Sequence, residues 1–495
     1  MKNTANQSYD AYVLVNKNNL SMADIFQQTD IQVPYFFTRE AYYKFYLPNQ
    51  INYLKQVLKE QWVFGVNDTP KSNALESLKS GMDSLYWSDY LNTWNQKTHA
   101  VTIVKSNDLG RLLLTYNDLS VEDNPLLSVA RKVSDNTDFS ALSALITDKI
   151  SSKLSDNIVT AQYKPLITLI GSTKAGQKNA DFDQVVKQIT KIRNLLNSLY
   201  LSNQPTMKAY ESVESEDSPL LKSLTSLWES ANLMPEPIRQ WLQQLVQRTS
   251  YVLFSMAEKE LIKKWDIQVG DYYQNYLENR YPLDEKSSYT VNPSVFINFF
   301  KKGGIVDGFV QKNMRAFLSE SSSGGYIWQD FYGVPFSDKE LLLKPVSQMR
   351  KIQNALFSNT RGDGFEVTLT PRYLSSTLSM VSILYQGKQF VYANGPQLPF
   401  GLDWPAANDT SQDITVIFQS KEGGEVTKTY SGNWSLFKFM QANKVAFDAK
   451  TGNYQLTLLG SDKKALAVYS INTSTLNNPF DHTLFQNLNN SRVQI

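Results

Sequence analysis

The chain has 495 residues, of which 42% are hydrophobic and 19% charged, with 49 Lys+Arg against 47 Asp+Glu and no cysteine. That length calls for several packed units, and the composition is that of a globular protein able to bury a large core. A net charge of +2 supplies no field to draw nucleic acid or anionic lipid, and the lack of cysteine excludes disulfides, zinc–thiolate sites, iron–sulfur clusters and thiol nucleophiles.

The opening "MKNTANQSYDAYVLVNKNN" lacks the apolar run of a secretory signal. No later segment approaches the roughly 18 uninterrupted apolar residues of a membrane span. From about residue 38 to 290 the apolar spacing is helical. In "DFDQVVKQITKIRNLLNSLY", Phe182, Val185, Val186, Ile189, Ile192, Leu196 and Leu199 form one stripe, with Asp181 and Gln184 predicting an N-cap that resembles a capping box. A second long helix is predicted from Pro237 through Trp241, Leu245, Leu253, Leu261 and Trp265. "EDNPLLSVARKV" and "EDSPLLKSLTSL" echo one another, each placing an acidic cap and a proline ahead of a leucine pair, and each predicts a helix start. Two echoes do not make a repeat array.

After about residue 361 the period changes to two. "FEVTLTP" alternates Phe365, Val367 and Leu369. Gly387, Gly423-Gly424 and Gly452-Asn453 each sit between extended runs as hairpin signals. Seven or eight short strands in succession, with almost no crossover helices, predict an antiparallel sandwich. The exception is "GNWSLFKFMQAN", whose Trp434, Phe437 and Met440 suit a short helix over a sheet.

No complete motif for catalysis is present. "GSTKAGQKN" puts Gln177 where a phosphate-binding loop needs its lysine, and Asn179 where it needs a hydroxyl. His99 and His482 are the only histidines, too few for multi-histidine metal sites, and no G-x-S-x-G elbow seats a serine nucleophile. Paired carboxylates could serve a glycosidase, but 47 acidic residues carry no specificity without a cleft. Arg361-Gly362-Asp363 spells an adhesion tripeptide inside "NTRGDG", which also has the chemistry of a turn before the first strand. The aromatics, 27 Tyr, 25 Phe and 9 Trp, could stack glycans, yet Trp241 and Trp434 sit among apolar neighbours as core rings do.

The run "NRYPLDEKSSYTVNPSVFINFFKKGGIVDGFVQKN" resembles the signature of the IcmF family, called TssM in type VI secretion. The matching residues are Arg280, Tyr281, Pro282, Phe299, Phe300, Gly303, Gly304, Asp307 and Phe309. In the same order along the chain, "YFFTREAYYKFYLPNQ" with Thr38, Arg39, Glu40 and Tyr42, then Trp62 and Gly65, resembles the helical entry to the family's periplasmic region. "GPQLPFGLDWP" with Trp404 and Pro405, "GNWSLFKFM" with Trp434, and Asn478, Pro479 and Phe480 match further on. In the signature, Gly303 and Gly304 are expected to turn the chain at positive φ between two helices anchored by Phe299, Phe300 and Phe309.

The resemblance implies an α+β multidomain chain, an N-terminal all-α bundle or stalk followed by a C-terminal antiparallel β-sandwich. The expected divisions are a helical periplasmic region at 1–290, divisible near 135–180, a connecting segment at 291–360 holding the glycine joint, the sandwich at 361–481 and a flexible tail at 482–495. It implies that Met1 begins a cut piece of a longer protein whose upstream part holds transmembrane helices and an NTPase-like domain. The expected role is a non-enzymatic scaffold, periplasmic and tethered to the inner membrane, without cofactor, metal or catalytic residues. Expected partners are other envelope proteins of the secretion system. An IcmH/DotU (TssL-like) protein would meet the upstream part, and a TssJ-type outer-membrane lipoprotein the sandwich; no nucleic acid is expected. The Asn-, Lys- and Tyr-rich style is nearer the Dot/Icm type IVB branch than most type VI members. A peptidoglycan- or glycan-binding module, or a hydrolase, are the alternatives.

Overall fold

The computed structural model describes residues 10–16, 20–63, 72–121, 124–140, 157–173, 180–322, 325–406, 412–448, 453–460, 464–475, 477–481, 483–485 and 488. Gly65, Lys178 and its neighbours, Gly452, His482, part of the 135–180 break and most of the 482–495 tail lie outside the described residues. Contacts divide the chain into two compact units. One comprises Met1–Ala257 with Asp330–Phe336, the other Glu258–Gln329 with Ser337–Ile495.

The first unit is helical. A short antiparallel pair, β1 (Tyr12–Val15) and β2 (Ile31–Val33), opens it, with α1 (Leu20–Ile25) between them. Thr38 then caps a helical turn, its hydroxyl accepting from the Ala41 amide, while Arg39 donates to the carbonyl of Asp138 at 3.0 Å. Thr38 and Arg39, two of the entry residues that carry the family resemblance, are thus a helix-starting and a packing residue. After α2 (Leu47–Val63) comes α3 (Ser72–Ala100), which buries Tyr86, Tyr90 and Trp94 at four-residue steps. Each polar tip finds a carbonyl: Tyr86 donates to Phe36 O, Tyr90 to Asn136 O and Trp94 to Phe37 O, the last two at 2.6 and 2.7 Å. Buried Tyr and Trp tips of this kind are paired because an unsatisfied buried donor is costly.

The echoing starts are helix starts. α4 (Leu109–Leu119) precedes α5 (Pro125–Thr137), and α6 (Ile158–Thr173), α7 (Ala180–Tyr200) and α8 (Pro205–Glu214) precede α9 (Pro219–Leu233). In α5 and α9 the cap is the residue immediately before the proline, Asn124 or Ser218, rather than the acidic pair expected from the sequence. Their side-chain oxygens accept from Leu126 N and Leu220 N. Asp181, expected as an N-cap, lies inside the first turn of α7, and the stripe from Phe182 to Leu199 is buried as predicted, Val186 excepted at the stripe's half-exposed edge. α10 (Ile238–Trp265) buries Trp241, Leu245, Leu253, Leu261 and Trp265 to 1% exposure or less. Among the described residues no helix is long and apolar enough to cross a membrane.

The unit division falls inside α10, at Ala257 and Glu258. The reason is where the following aromatics pack: Trp265 sits edge-on to Phe309, and Tyr272 and Tyr273 lie against Phe299. The 291–360 segment, expected to be helical or irregular, also carries short strand pairs, β3 (Leu318–Glu320) with β4 (Tyr326–Trp328), and β5 (Asp330–Phe331) with β6 (Val334–Pro335). The second pair is a tight hairpin with Tyr332 and Gly333 at φ 57° and 79°, the positive angles such a two-residue turn requires. It belongs to the helical unit, where Phe331 and Phe336 flank Phe254, and Tyr332 stacks near Trp228 and accepts from Gln247.

The second unit carries α11 (Asp271–Tyr276), α12 (Pro293–Phe300), α13 (Ile305–Phe309) and α14 (Leu343–Leu356), followed by the sandwich. One sheet has the order β10 (Phe400–Trp404), β7 (Phe365–Leu374), β15 (Ala465–Thr473), β14 (Asn453–Leu459) and β13 (Lys444–Asp448). The other has β12 (Glu425–Tyr430), β11 (Ile414–Ser420), β8 (Leu378–Tyr385) and β9 (Lys388–Tyr392), and all pairs in both are antiparallel. Phe365, Val367 and Leu369 face inward from β7, as the alternation predicts, and Gly387 and Gly423 turn their hairpins at φ 72° and 92°. α15 (Ser435–Ala442) bridges β12 of one sheet and β13 of the other.

Candidate functional site

The signature segment builds its own turn. Asn292 caps α12, accepting from Ser294 N at 2.9 Å, and Pro293 occupies the first helical position, where no amide is needed. The helix buries Phe296, Phe299 and Phe300 and ends at Lys301. Both glycines were expected at positive φ, but only Gly303 is there, at 71°. Gly304 is needed for a different reason: a Cβ on it would stand 2.3 Å from the Asn298 carbonyl oxygen and 2.9 Å from that of Lys301. Asp307, three residues into the next helix, accepts from Gly303 N at 2.7 Å. This satisfies an orphan amide much as the acid of a capping box does. Asp307→Ala is expected to cost about 1 kcal/mol, measured as a drop in the urea midpoint. An unchanged midpoint would remove the capping role.

Tyr281, Trp404, Trp434 and Phe480, motif residues far apart in the chain, converge on one aromatic cluster inside the second unit. Trp434 and Trp404 have ring centroids 4.8 Å apart, and Phe296 meets Trp434 at 5.0 Å and Trp404 at 6.0 Å. Phe437 packs on both tryptophans, and Phe480 joins it at 5.6 Å. Trp434 is fully buried and its indole N–H donates to Val291 O at 2.6 Å; Trp404 donates to Asn433 O at 3.2 Å. Tyr281 approaches Trp434 edge-on at 6.4 Å and donates to the Gln441 side chain at 3.1 Å. Burial, with Glu285 adding, pushes the Tyr281 hydroxyl above the ordinary tyrosine range, so it stays a neutral donor.

Peptide bonds before Pro282 and Pro405 are cis. Gly364 accepts no side chain, because its Cβ would meet Trp404 O at 2.2 Å. Asn478 closes a local turn on Phe480 N at 2.9 Å, and Pro479 with Phe480 walls a pocket of about 200 Å³ beside Tyr281 and Pro282. Arg280 is half-buried and offers its carbonyl to Leu283 N and Asp284 N. Tyr281, Trp404, Trp434 and Phe480 thus lie in packing contacts, and Asp307 and Asn478 in turns. What the sequence could not show is Phe296, Val291 and Phe437 as the pieces that join them, since nothing in their spacing marks a distant partner.

Among the described residues no three His, Cys, Asp or Glu side chains are grouped as a metal site. His99 is exposed and bonds to Asn95 O within its own helix. The raised tyrosines owe their shifts first to burial, Tyr385 being pushed up to about 12. Arg361 pairs with Asp363 at 2.9 Å and Gly362 sits at φ 70°, so the tripeptide is a closed turn. Trp94, Trp241, Trp265, Trp404 and Trp434 are all fully buried, which denies their faces to a sugar ring.

Residues 1–138 match the IcmF-related family model, described by intracellular multiplication and human macrophage-killing. Residues 367–474 match the type VI secretion protein IcmF C2-like domain. The type VI secretion system component TssM1 of Pseudomonas aeruginosa is 23% identical over 447 residues, 84% of this chain, and the chain spans 40% of that relative's length. A solved type VI membrane complex shares the fold with a TM-score of 0.69 at 16% identity, over 98% of this chain and 96% of that one. A type VI secretion system membrane core complex does so with a TM-score of 0.61 at 16% identity, over 95% and 91% of the two chains.

Proposed function

Starting from a chain that belongs to the IcmF/TssM family, we propose that it is the scaffold portion of a secretion-system envelope component and catalyses no reaction. It braces a trans-envelope complex from the periplasm, with the longer protein tethered to the inner membrane. The observation that carries this reading is the use made of the motif residues: Tyr281, Trp404, Trp434 and Phe480 are spent on one aromatic core, and Gly303, Gly304 and Asp307 on a fixed turn. Such a core makes shape, and shape is what a brace contributes. The divisions of the chain set out from its sequence belong to the same proposal, with residues 361–481 as the module that meets an outer-membrane lipoprotein of TssJ type. The IcmH/DotU partner would be met by the upstream part.

Affinity purification of the full-length protein from its native envelope tests this. Stoichiometric recovery of other envelope components of the secretion system is expected, and secretion is expected to fail when the region is deleted and return on complementation. Recovery of the protein alone after mild crosslinking, with secretion intact in the deletion strain, would overturn the reading.

A further inference from the structure

The geometry points to a carboxylate-binding site in the second unit, beside the glycine turn and separate from the aromatic cluster. A pocket of about 360 Å³ opens between α13, the β3–β4 pair and α14, at the lower end of the range of about 300–1,000 Å³ that small-molecule sites occupy. Its distinctive group is Arg350. The guanidinium carbon lies 4.6 Å from the centre of the Tyr326 ring, Nη1 is sealed from solvent without a hydrogen-bond partner, and no carboxylate pairs with the side chain among the described residues.

A guanidinium desolvated on one side and unpaired is an unsettled charge. An anion that met its pocket-facing edge would recover part of the lost solvation through charge-assisted hydrogen bonds. Lys302, exposed on the turn, lines the same pocket and adds a second cation at the rim.

Two further observations choose the anion. Asp307 and Glu320 also line the pocket, so its four charged side chains sum to zero. A dianionic phosphate would meet two carboxylates as well as two cations, whereas a monoanionic carboxylate can sit on the arginine side and leave them solvated or facing an amide or amine. Asp307 is already engaged with Gly303 N, which fixes it as wall rather than counter-ion for Arg350. The rest of the lining, Val306, Val346 and Met349 with the amides of Gln353 and Asn354, suits the short apolar or peptide body behind a carboxylate. The carboxylate could end a peptide or belong to a small free acid. This inference is independent of the scaffold reading, since a brace does not need it and its failure would leave the brace intact.

Calorimetric titration of the intact chain at matched ionic strength tests it with four probes: N-acetyl-trialanine, its carboxy-terminal amide, sodium butyrate and inorganic phosphate. Saturable binding of an acid is expected, with the peptide amide weaker than the peptide acid by about tenfold or more, the size of one charge-assisted hydrogen bond. Tighter binding of the peptide than of butyrate would assign a chain terminus, and the reverse a free acid; either supports the site. Arg350→Gln is expected to lose at least about tenfold in acid affinity, and Lys302→Gln, on an exposed turn and harmless to folding, a few-fold. Equal binding of acid and amide, phosphate matching the acids, or no saturation by either acid would overturn the assignment. The acid–amide contrast in the wild-type chain stands even if Arg350→Gln does not fold.

Discussion

Replacing Trp434 by alanine is expected to cost about 3–5 kcal/mol of unfolding free energy, the range for emptying a fully buried aromatic site. The ring is 0% exposed and touches Tyr281, Phe296, Trp404 and Phe437, so collapse into the hole would have to move four other rings. The indole N–H also serves the Val291 carbonyl, which would be left buried without its donor. Trp434→Phe is expected to cost less, because it keeps a six-membered ring in the site and loses that bond, worth about 1–3 kcal/mol, with only part of the packing. Urea unfolding followed by near-ultraviolet circular dichroism gives both values. An alanine loss below about 1 kcal/mol would mean that the cluster is not the core of this unit.

The second large effect is expected at Gly304. A methyl there would meet two backbone oxygens, of Asn298 and Lys301, at 2.3 and 2.9 Å, and neither can swing aside as a side-chain tip could. Gly304→Ala is expected to cost about 3 kcal/mol or more, since the end of α12 must shift. Gly303→Ala meets nothing within 4 Å and carries only the penalty of φ 71°, about 1–2 kcal/mol. The order of the two is the test. If Gly303→Ala proves the more damaging, the close approach at Gly304 is relieved by a small movement and the turn is governed by backbone angle alone.

How much of this was legible in the sequence depends on the distance over which each feature is specified. The stripe from Phe182 to Leu199, the length of α10 and the hairpins at Gly387 and Gly423 follow from neighbours a few residues apart, and the fold reproduces them. The caps at Asn124 and Ser218 were legible to within a residue or two, because the proline that marks the start also fixes which side chain precedes it. The convergence of Tyr281, Trp404, Trp434 and Phe480 was not legible from spacing. It became visible only as a set of motifs in a familiar order, and what they share is contact. Gly304 resembles Gly303 in sequence and differs from it only through a carbonyl brought back by the preceding helix. Arg350, on a helix with ordinary periodicity, carries no local mark at all of its missing partner.

The hairpin at 330–336 has a temporal meaning as well as a spatial one. While the chain is being made, the helical unit cannot be finished when its last continuous residue, Ala257, has left the ribosome, because Trp228 and Phe254 still wait for Tyr332, Phe331 and Phe336. At about 5–20 residues per second that wait lasts several seconds, during which apolar surface is open to mispairing. For the same reason neither half can be liberated whole by a single cut: a fragment ending at Ala257 is born with an open wound, and one beginning at Glu258 carries a plug that fits nothing of its own.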